Sequence, residues 1–255
     1  MTHRILILGG TTEARLLAGR LAARPGLDVT LSLAGRTAEP AKQRVPVRSG
    51  GFGGVDGLAH YLRSNAFDLL IDATHPYAAQ ISRNAFHAAQ LADVRAFALR
   101  RPPWEPVASD RWRIVANAEE AVTELGRMPR RVFLALGRQE IAPFAAAPQH
   151  GYLIRSVDPV DPPLGVPDAV YILARGPFAE QDERQLLREH GIDVIVAKNS
   201  GGAATYGKIA AARDLGIDVI LLHRPEAPGM PAVATVAEAV EMADHLLASA
   251  RKRGV

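Results

Sequence analysis

The chain contains no cysteine among its 255 residues, which excludes disulfides, thiolate metal sites and cysteine nucleophiles. Aromatic residues make up only 5%, poor material for stacking single-stranded nucleic acid. The net charge of +3 is mild and no long basic run accompanies it, so a nucleic-acid partner is not expected. The eight histidines are scattered, none at the spacing of a zinc-binding helix, so no metal site is expected either. No apolar stretch approaches the ~20 residues of a membrane span. Met1-Thr2-His3-Arg4 ahead of a short apolar run does not read as a signal peptide. These absences predict a soluble, cytoplasmic protein with no membrane partner. An apolar content of 48% and a charged content of 22% are ordinary globular proportions, and the length suits one large domain or two small ones.

What is present is organised around residues 4–15, Arg-Ile-Leu-Ile-Leu-Gly-Gly-Thr-Thr-Glu-Ala-Arg. The branched apolar run reads as a buried parallel strand. Leu16, Leu17 and Leu21 then follow at helical spacing. Strand, glycine turn and helix start make a phosphate-binding geometry, because backbone approaches the ligand at Gly9 and Gly10 and the first helical N–H groups face an anion. Thr11 or Thr12 can cap the helix, and their hydroxyls can also donate to phosphate. The dinucleotide fingerprint wants a third glycine, and this chain has Glu13 and Ala14 there. Glu13 would repel phosphate unless it points away.

A second strand over 28–34 ends in Gly35-Arg36 with no acid to hold a ribose 2′-hydroxyl. The missing acid and Arg36 together favour NADPH over NADH. A third strand runs into Gly50, Gly51, Gly53 and Gly54, a loop suited to close backbone approach to a ligand. A helix follows over 55–65. The strand at 69–72 enters Ala73-Thr74-His75-Pro76-Tyr77, then come a helix over 78–92 and a strand over 96–99. Alternating units of this kind predict a parallel sheet.

Three prolines in the stretch Pro102-Pro103-Trp104-Glu105-Pro106 read as a stiff linker. The expected organisation is a first domain over 1–101, a linker over 102–112 and a second domain over 113–255, closed by a terminal helix over 235–248. In the second half, helices are expected over 117–125 and 178–190, with one running through Ala211. Strands are expected over 131–136, 152–155, 170–175, 192–197 and 218–222. The fold class is therefore α/β: two Rossmann-like parallel-sheet domains with a ligand cleft between them.

Basic and polar residues collect where these strands end: Arg36, Thr74, His75, Arg138, Arg155, Arg175, Lys198, Asn199 and Arg224. Ligands of open parallel sheets bind at the carboxyl ends of strands. Asp28, Asp193 and Asp218 fall at strand starts, the opposite edge. The asymmetry predicts an anionic ligand. A short-chain dehydrogenase would need tyrosine and lysine four apart, whereas Tyr206 and Lys208 are two apart and face different ways.

Leu8-Gly9-Gly10-Thr11-Thr12-Glu13-Ala14-Arg15, Asp72-Ala73-Thr74-His75-Pro76-Tyr77-Ala78 and Lys198-Asn199-Ser200-Gly201-Gly202, with Lys208 and His223-Arg224-Pro225 after them, resemble the precorrin-6A reductase family. The resemblance covers nearly the whole chain. It implies NADPH as cofactor and reduction of one double bond of a contracted tetrapyrrole edged with carboxylates, in cobalamin biosynthesis, with hand-over from neighbouring pathway enzymes. It leaves open a cobalt-containing substrate of the anaerobic route. The candidate cofactor residues are Gly9, Gly10, Thr11, Thr12, Arg36, Gly50, Gly51, Thr74, Tyr77, Asn199, Ser200 and Gly201. The candidates for substrate carboxylates are Arg138, Arg155, Arg175, Lys198 and Arg224. His75 and Tyr77 are the acid candidates in these motifs, although solvent can deliver a proton. Two rival readings are a Rossmann-type reductase of another anionic metabolite and a non-catalytic NADPH-sensing domain.

Overall fold

The computed structural model describes residues 2–35 and 43–251. In chain order the elements are β1 (His3–Leu8), α1 (Thr12–Ala22), β2 (Leu27–Leu33), β3 (Val47–Ser49), α2 (Gly54–Ser64), β4 (Leu69–Asp72), α3 (Ala79–Ala92) and β5 (Arg95–Leu99). After them come β6 (Trp112–Val115), α4 (Ala118–Leu125), β7 (Arg131–Ala135), a 3-10 turn over Ala142–Ala146, β8 (Gly151–Ser156) and β9 (Ala169–Leu173). The chain finishes with α5 (Glu180–Glu189), β10 (Val194–Lys198), α6 (Gly207–Leu215), β11 (Asp218–Leu222), β12 (Ala232–Val233) and α7 (Val236–Arg251).

These elements make two six-stranded sheets, ordered β12-β5-β4-β1-β2-β3 and β6-β11-β10-β7-β8-β9. Every neighbouring pair is parallel. Each sheet reverses its order once, between β1 and β4 in the first and between β7 and β10 in the second. That is the doubly wound arrangement of a Rossmann-like α/β fold.

The first sheet is buried on both faces, which is why its central strands are continuous apolar runs. Ile5 and Ile7 of β1 face a core with Leu17 and Leu21 of α1, whereas Leu6 and Leu8 face Leu58 and Leu62 of α2 and Ala85 of α3. Each fully buried leucine contributes roughly 1.5–3 kcal/mol. The second sheet has a comparable core of Phe133, Leu153, Leu187, Ile195, Ile209 and Leu221.

The domain boundaries differ from the sequence expectation at both ends of the second half. The chain forms two compact units, one up to Pro102 and again from Pro225 onward, the other Pro103–Arg224. The last segment therefore returns to the first unit. Ala232 and Val233 of β12 pair with Ala98 and Leu99 of β5. Ala239, Ala243 and Leu247, four apart along α7, are buried beside Leu17 and Leu21 of α1. Glu238 and Thr235 form a reciprocal cap at the start of α7: Thr235 N–H donates to Glu238 Oε2 at 3.1 Å, and Glu238 N–H donates to Thr235 Oγ1 at 3.2 Å. The Ala234 and Thr235 N–H groups hold the Glu238 carboxyl below its ordinary pKa.

At the other end, the expected linker over 102–112 runs directly into β6, which pairs with β11 through Trp112 and Val219. Only the first sheet thus takes a strand from a distant part of the chain: β12 returns from beyond the second unit, whereas β6 opens the second unit's own continuous segment.

Candidate active site

In the first unit the order reverses between β1 and β4, so the segments after Leu8 and Asp72 border a crevice. A Cβ on Gly9 would lie 2.6 Å from Leu31 Cδ1 and 3.4 Å from the Ala14 Cβ, so only glycine lets this turn lie against β2 and α1. Gly10 has φ +120°, and no atom lies within 4 Å of where its Cβ would be. The backbone there is open to a ligand. The first N–H groups of α1 point the same way and have no partner within the helix.

Thr11 is the cap of α1, and its Oγ1 accepts from Ala14 N–H at 3.1 Å. The same hydroxyl donates to Ala73 O at 2.9 Å, which ties the two sides of the crevice together. Its bonds are spent on the protein, and Thr12, exposed at the first helical position, presents the other hydroxyl. The Glu13 carboxylate pairs with Arg101 at 2.6 Å, so the charge that would repel a phosphate is neutralised within the unit.

Beyond β4, the buried Asp72 carboxylate accepts from Thr74 N–H at 3.1 Å and from Thr74 Oγ1 at 2.7 Å. Arg100 Nη2 lies 3.7 Å from the same carboxylate. Thr74 is thereby held through both its backbone N–H and its hydroxyl. His75 Nδ1 accepts from Tyr77 N–H at 3.3 Å, and the two rings lie 5.6 Å apart. That bond makes Nδ1 the acceptor nitrogen of the His75 ring.

The glycine loop after β3 has an organiser that sequence reasoning missed. Arg48 donates to Gly50 O at 2.5 Å and to Gly51 O at 2.6 Å. Its guanidinium lies 3.8 Å from the centre of the Phe52 ring and 5.2 Å from that of Tyr61. Gly50 has φ +106° and nothing near its Cβ position, so the loop offers bare backbone, as Gly10 does. Arg48 carried no signal in the sequence beyond standing two residues before the first glycine. Arg36 lies outside the described residues.

In the second unit the order reverses between β7 and β10. Lys198 ends β10, and its Nζ pairs with Glu140 Oε1 at 2.5 Å across that crevice. Arg138 and Arg175, a few residues past β7 and β9, are exposed at the same sheet edge. Arg224, just past β11, donates through Nε to Asn199 O at 2.6 Å. Ser200 and Gly201 lie on the same loop, and Gly201 has φ +66°. The Asn199 amide grips the linker instead: Oδ1 accepts from Trp104 N–H at 2.8 Å and Nδ2 donates to Trp104 O at 2.9 Å. Trp104 Nε1 donates to Gly202 O at 2.9 Å, so the segment after Pro103 is latched onto the β10 loop.

Arg155 does not belong with the substrate candidates. It is 8% exposed and forms a double hydrogen bond with Glu183, which is 2% exposed. Its guanidinium lies 3.7 Å from the centre of the Phe178 ring and 4.8 Å from that of Phe133. Its strand-end position misled because the side chain turns into the sheet–helix interior, where α5 supplies its counter-charge. Lys208 is buried near this pair. Its Nζ donates to Thr205 O at 2.7 Å and lies 5.2 Å from the centre of the Trp104 ring. Burial first, then the positive charge of Arg155, pull its pKa down to about 7, although Glu183 opposes them.

Among the described residues no group of three or more His, Cys, Asp or Glu could hold a metal ion, and no helix is long and apolar enough to cross a membrane. Each unit has its own candidate: a glycine-turned crevice in the first and a cation-edged crevice in the second.

Known proteins are similar to this chain over nearly its whole length. A precorrin-6A reductase of Sinorhizobium sp is 60% identical over 247 residues, covering 97% of this chain and 95% of the relative. That of Rhodobacter capsulatus is 48% identical over 253 residues, covering 99% of both. The solved structure of a CobK precorrin-6A reductase superposes with a TM-score of 0.91 at 49% identity, covering 96% of this chain and 97% of its own. The family model described as precorrin-6x reductase CbiJ/CobK matches residues 4–244, and the chain belongs to that family.

Proposed function

We propose that this protein reduces one macrocycle double bond of precorrin-6A to give precorrin-6B in cobalamin biosynthesis, with NADPH as hydride donor. The observation that carries the cofactor half of the reading is the crevice at Gly9 and Gly10. A turn that tolerates no Cβ at Gly9 and leaves open space over Gly10 fits a pyrophosphate, and the α1 N-terminus would face its charge. The Gly50–Gly51 loop and the Thr74–Tyr77 segment, at the ends of β3 and β4, would hold the rest of the cofactor. Arg36 would meet the 2′-phosphate. Bound NADPH supplies a hydride, so neither a flavin nor a metal is needed in the protein.

The substrate half rests on the second unit. Arg138, Arg175, Lys198 and Arg224 stand at strand ends on one sheet edge, and a contracted tetrapyrrole carries acetate and propionate carboxylates that suit them. Ser200 and Gly201 are candidates for cofactor contact on the same loop. Protonation of the neighbouring carbon requires no side-chain acid, since solvent can deliver the proton, and the His75 Nδ1 already accepts a backbone N–H. The cobalt-free substrate is favoured because the relatives at 60% and 48% identity are both precorrin-6A reductases.

The test is anaerobic incubation with NADPH and either precorrin-6A or its cobalt complex. Loss of nicotinamide absorbance with a matching change in the tetrapyrrole spectrum is expected for precorrin-6A. Turnover confined to the cobalt complex would reassign the substrate, and cofactor binding without oxidation of NADPH in either arm would leave a sensing domain.

A further inference from the structure

Glu140 is not used by the reaction as proposed, yet it sits where the second sheet reverses its order. Its backbone N–H closes a turn onto Gly137 O at 2.9 Å. That turn brings the side chain back over the strand end. Its Oε2 lies 2.5 Å from where a Cβ on Gly137 would be, so the carboxylate folds back into the space beside that glycine. Its Oε1 lies 2.5 Å from Lys198 Nζ, and the ammonium side chain is only 17% exposed. A carboxylate is thus seated at the β7–β10 crevice, on the backbone of one strand end and the cation of the other.

We propose that Glu140 is an internal stand-in for a substrate carboxylate, which the incoming tetrapyrrole displaces from Lys198. The inference rests on the reading above, in which strand-end cations bind the substrate's carboxylates. Its chemistry is an exchange of ion pairs. Lys198 keeps a carboxylate partner before and after binding, and no unpaired ammonium is left in a partly buried place. The Glu140 side chain, 34% exposed, is released toward water, where a carboxylate is well solvated. A neutral macrocycle edge offers nothing to replace Glu140, so the exchange selects for an anionic edge at this position. That selection operates through competition and not through an added contact.

The test measures tetrapyrrole KM and NADPH Kd for the wild type, Glu140→Gln, Lys198→Gln and the double variant, with circular dichroism to confirm folding. Glu140→Gln keeps the side chain's shape but removes the competing charge. It should lower the tetrapyrrole KM about three- to tenfold, the scale of a partly buried ion pair, and leave NADPH Kd unchanged. Lys198→Gln should raise KM, and in that background Glu140→Gln should have no further effect, because the competition needs both partners. If Lys198→Gln raises KM but Glu140→Gln leaves it unchanged or raises it, the stand-in is refuted while the substrate assignment survives. If Lys198→Gln leaves KM unchanged, the assignment of Lys198 to a substrate carboxylate has failed, and the stand-in with it.

Discussion

At the residue scale, the same residue type serves opposite purposes at neighbouring strand ends. Arg155 lies near the end of β8 and Arg175 just past the neighbouring β9, yet Arg155 is buried against Glu183 and Phe178 and Arg175 is exposed. Direction along a strand does not report which face a side chain takes or whether a helix supplies its counter-charge. Lys208 shows what such burial does. Its pKa falls to about 7 in the folded protein from an ordinary value near 10.5. Between those values the unfolded chain holds a proton that the folded chain does not, so raising the pH through this window favours folding. The stability of the wild type minus that of Lys208→Met should therefore rise from about pH 7 to pH 9, with a slope of up to ~1.4 kcal/mol per pH unit. Denaturant titrations at several pH values check this, and parallel pH profiles for the two proteins would show that Lys208 stays protonated. In the proposed function Arg36 carries the cofactor choice. Arg36→Ala should weaken NADPH by ~1.5–3 kcal/mol, the range for a hydrogen bond to a charged group, with NADH nearly unchanged. Equal losses in titrations with the two cofactors would remove Arg36 from the 2′-phosphate.

At the element scale, the strands and helices of the first sheet were legible because each carries its own signal. The all-apolar runs of β1 and β4 mark strands buried on both faces, and the glycine turn marks where β1 must yield to α1. What escaped the sequence was membership. β12 has only two residues, after a stretch rich in proline and glycine, too short to show any period. The helix α7 was legible as amphipathic, but its apolar stripe does not say which sheet it covers. β6 was hidden by the prolines before it. In the site, Gly9, Gly10 and the loop at Gly50 were readable because backbone demands fix the residue type. Arg48, Trp104 and Glu140 were not, since their partners are distant in the chain or lie across a turn. The returning segment gives a direct prediction. Ending the chain at Arg224 removes β12 and α7 from the first unit, with the buried Ala239, Ala243 and Leu247. Leu247 alone represents roughly 1.5–3 kcal/mol of apolar burial. Hydrogen exchange should then show lost protection at β1, β4 and β5 and retained protection at β7, β10 and β11, and NADPH binding should be abolished. Wild-type NADPH affinity in the truncated protein would contradict the assignment of this segment to the first unit's core.

At the scale of the whole molecule, two doubly wound units of matching topology differ at their strand ends: bare glycine backbone in one and side-chain cations in the other, which the proposed reading assigns to cofactor phosphates and substrate carboxylates respectively. On that reading the protein acts chiefly by alignment of two bound molecules. His75→Ala and Tyr77→Phe should accordingly each slow turnover by less than the ~10²–10⁴-fold typical of losing a general acid. A larger fall in kcat, with NADPH Kd unchanged, would make that residue the proton donor. The central claim is direct hydride transfer, and NADPH carrying deuterium at the transferred position tests it most directly. Mass spectrometry and NMR of the tetrapyrrole product should find one deuterium on one macrocycle carbon. A product without deuterium, formed while NADPH is consumed, would contradict the account.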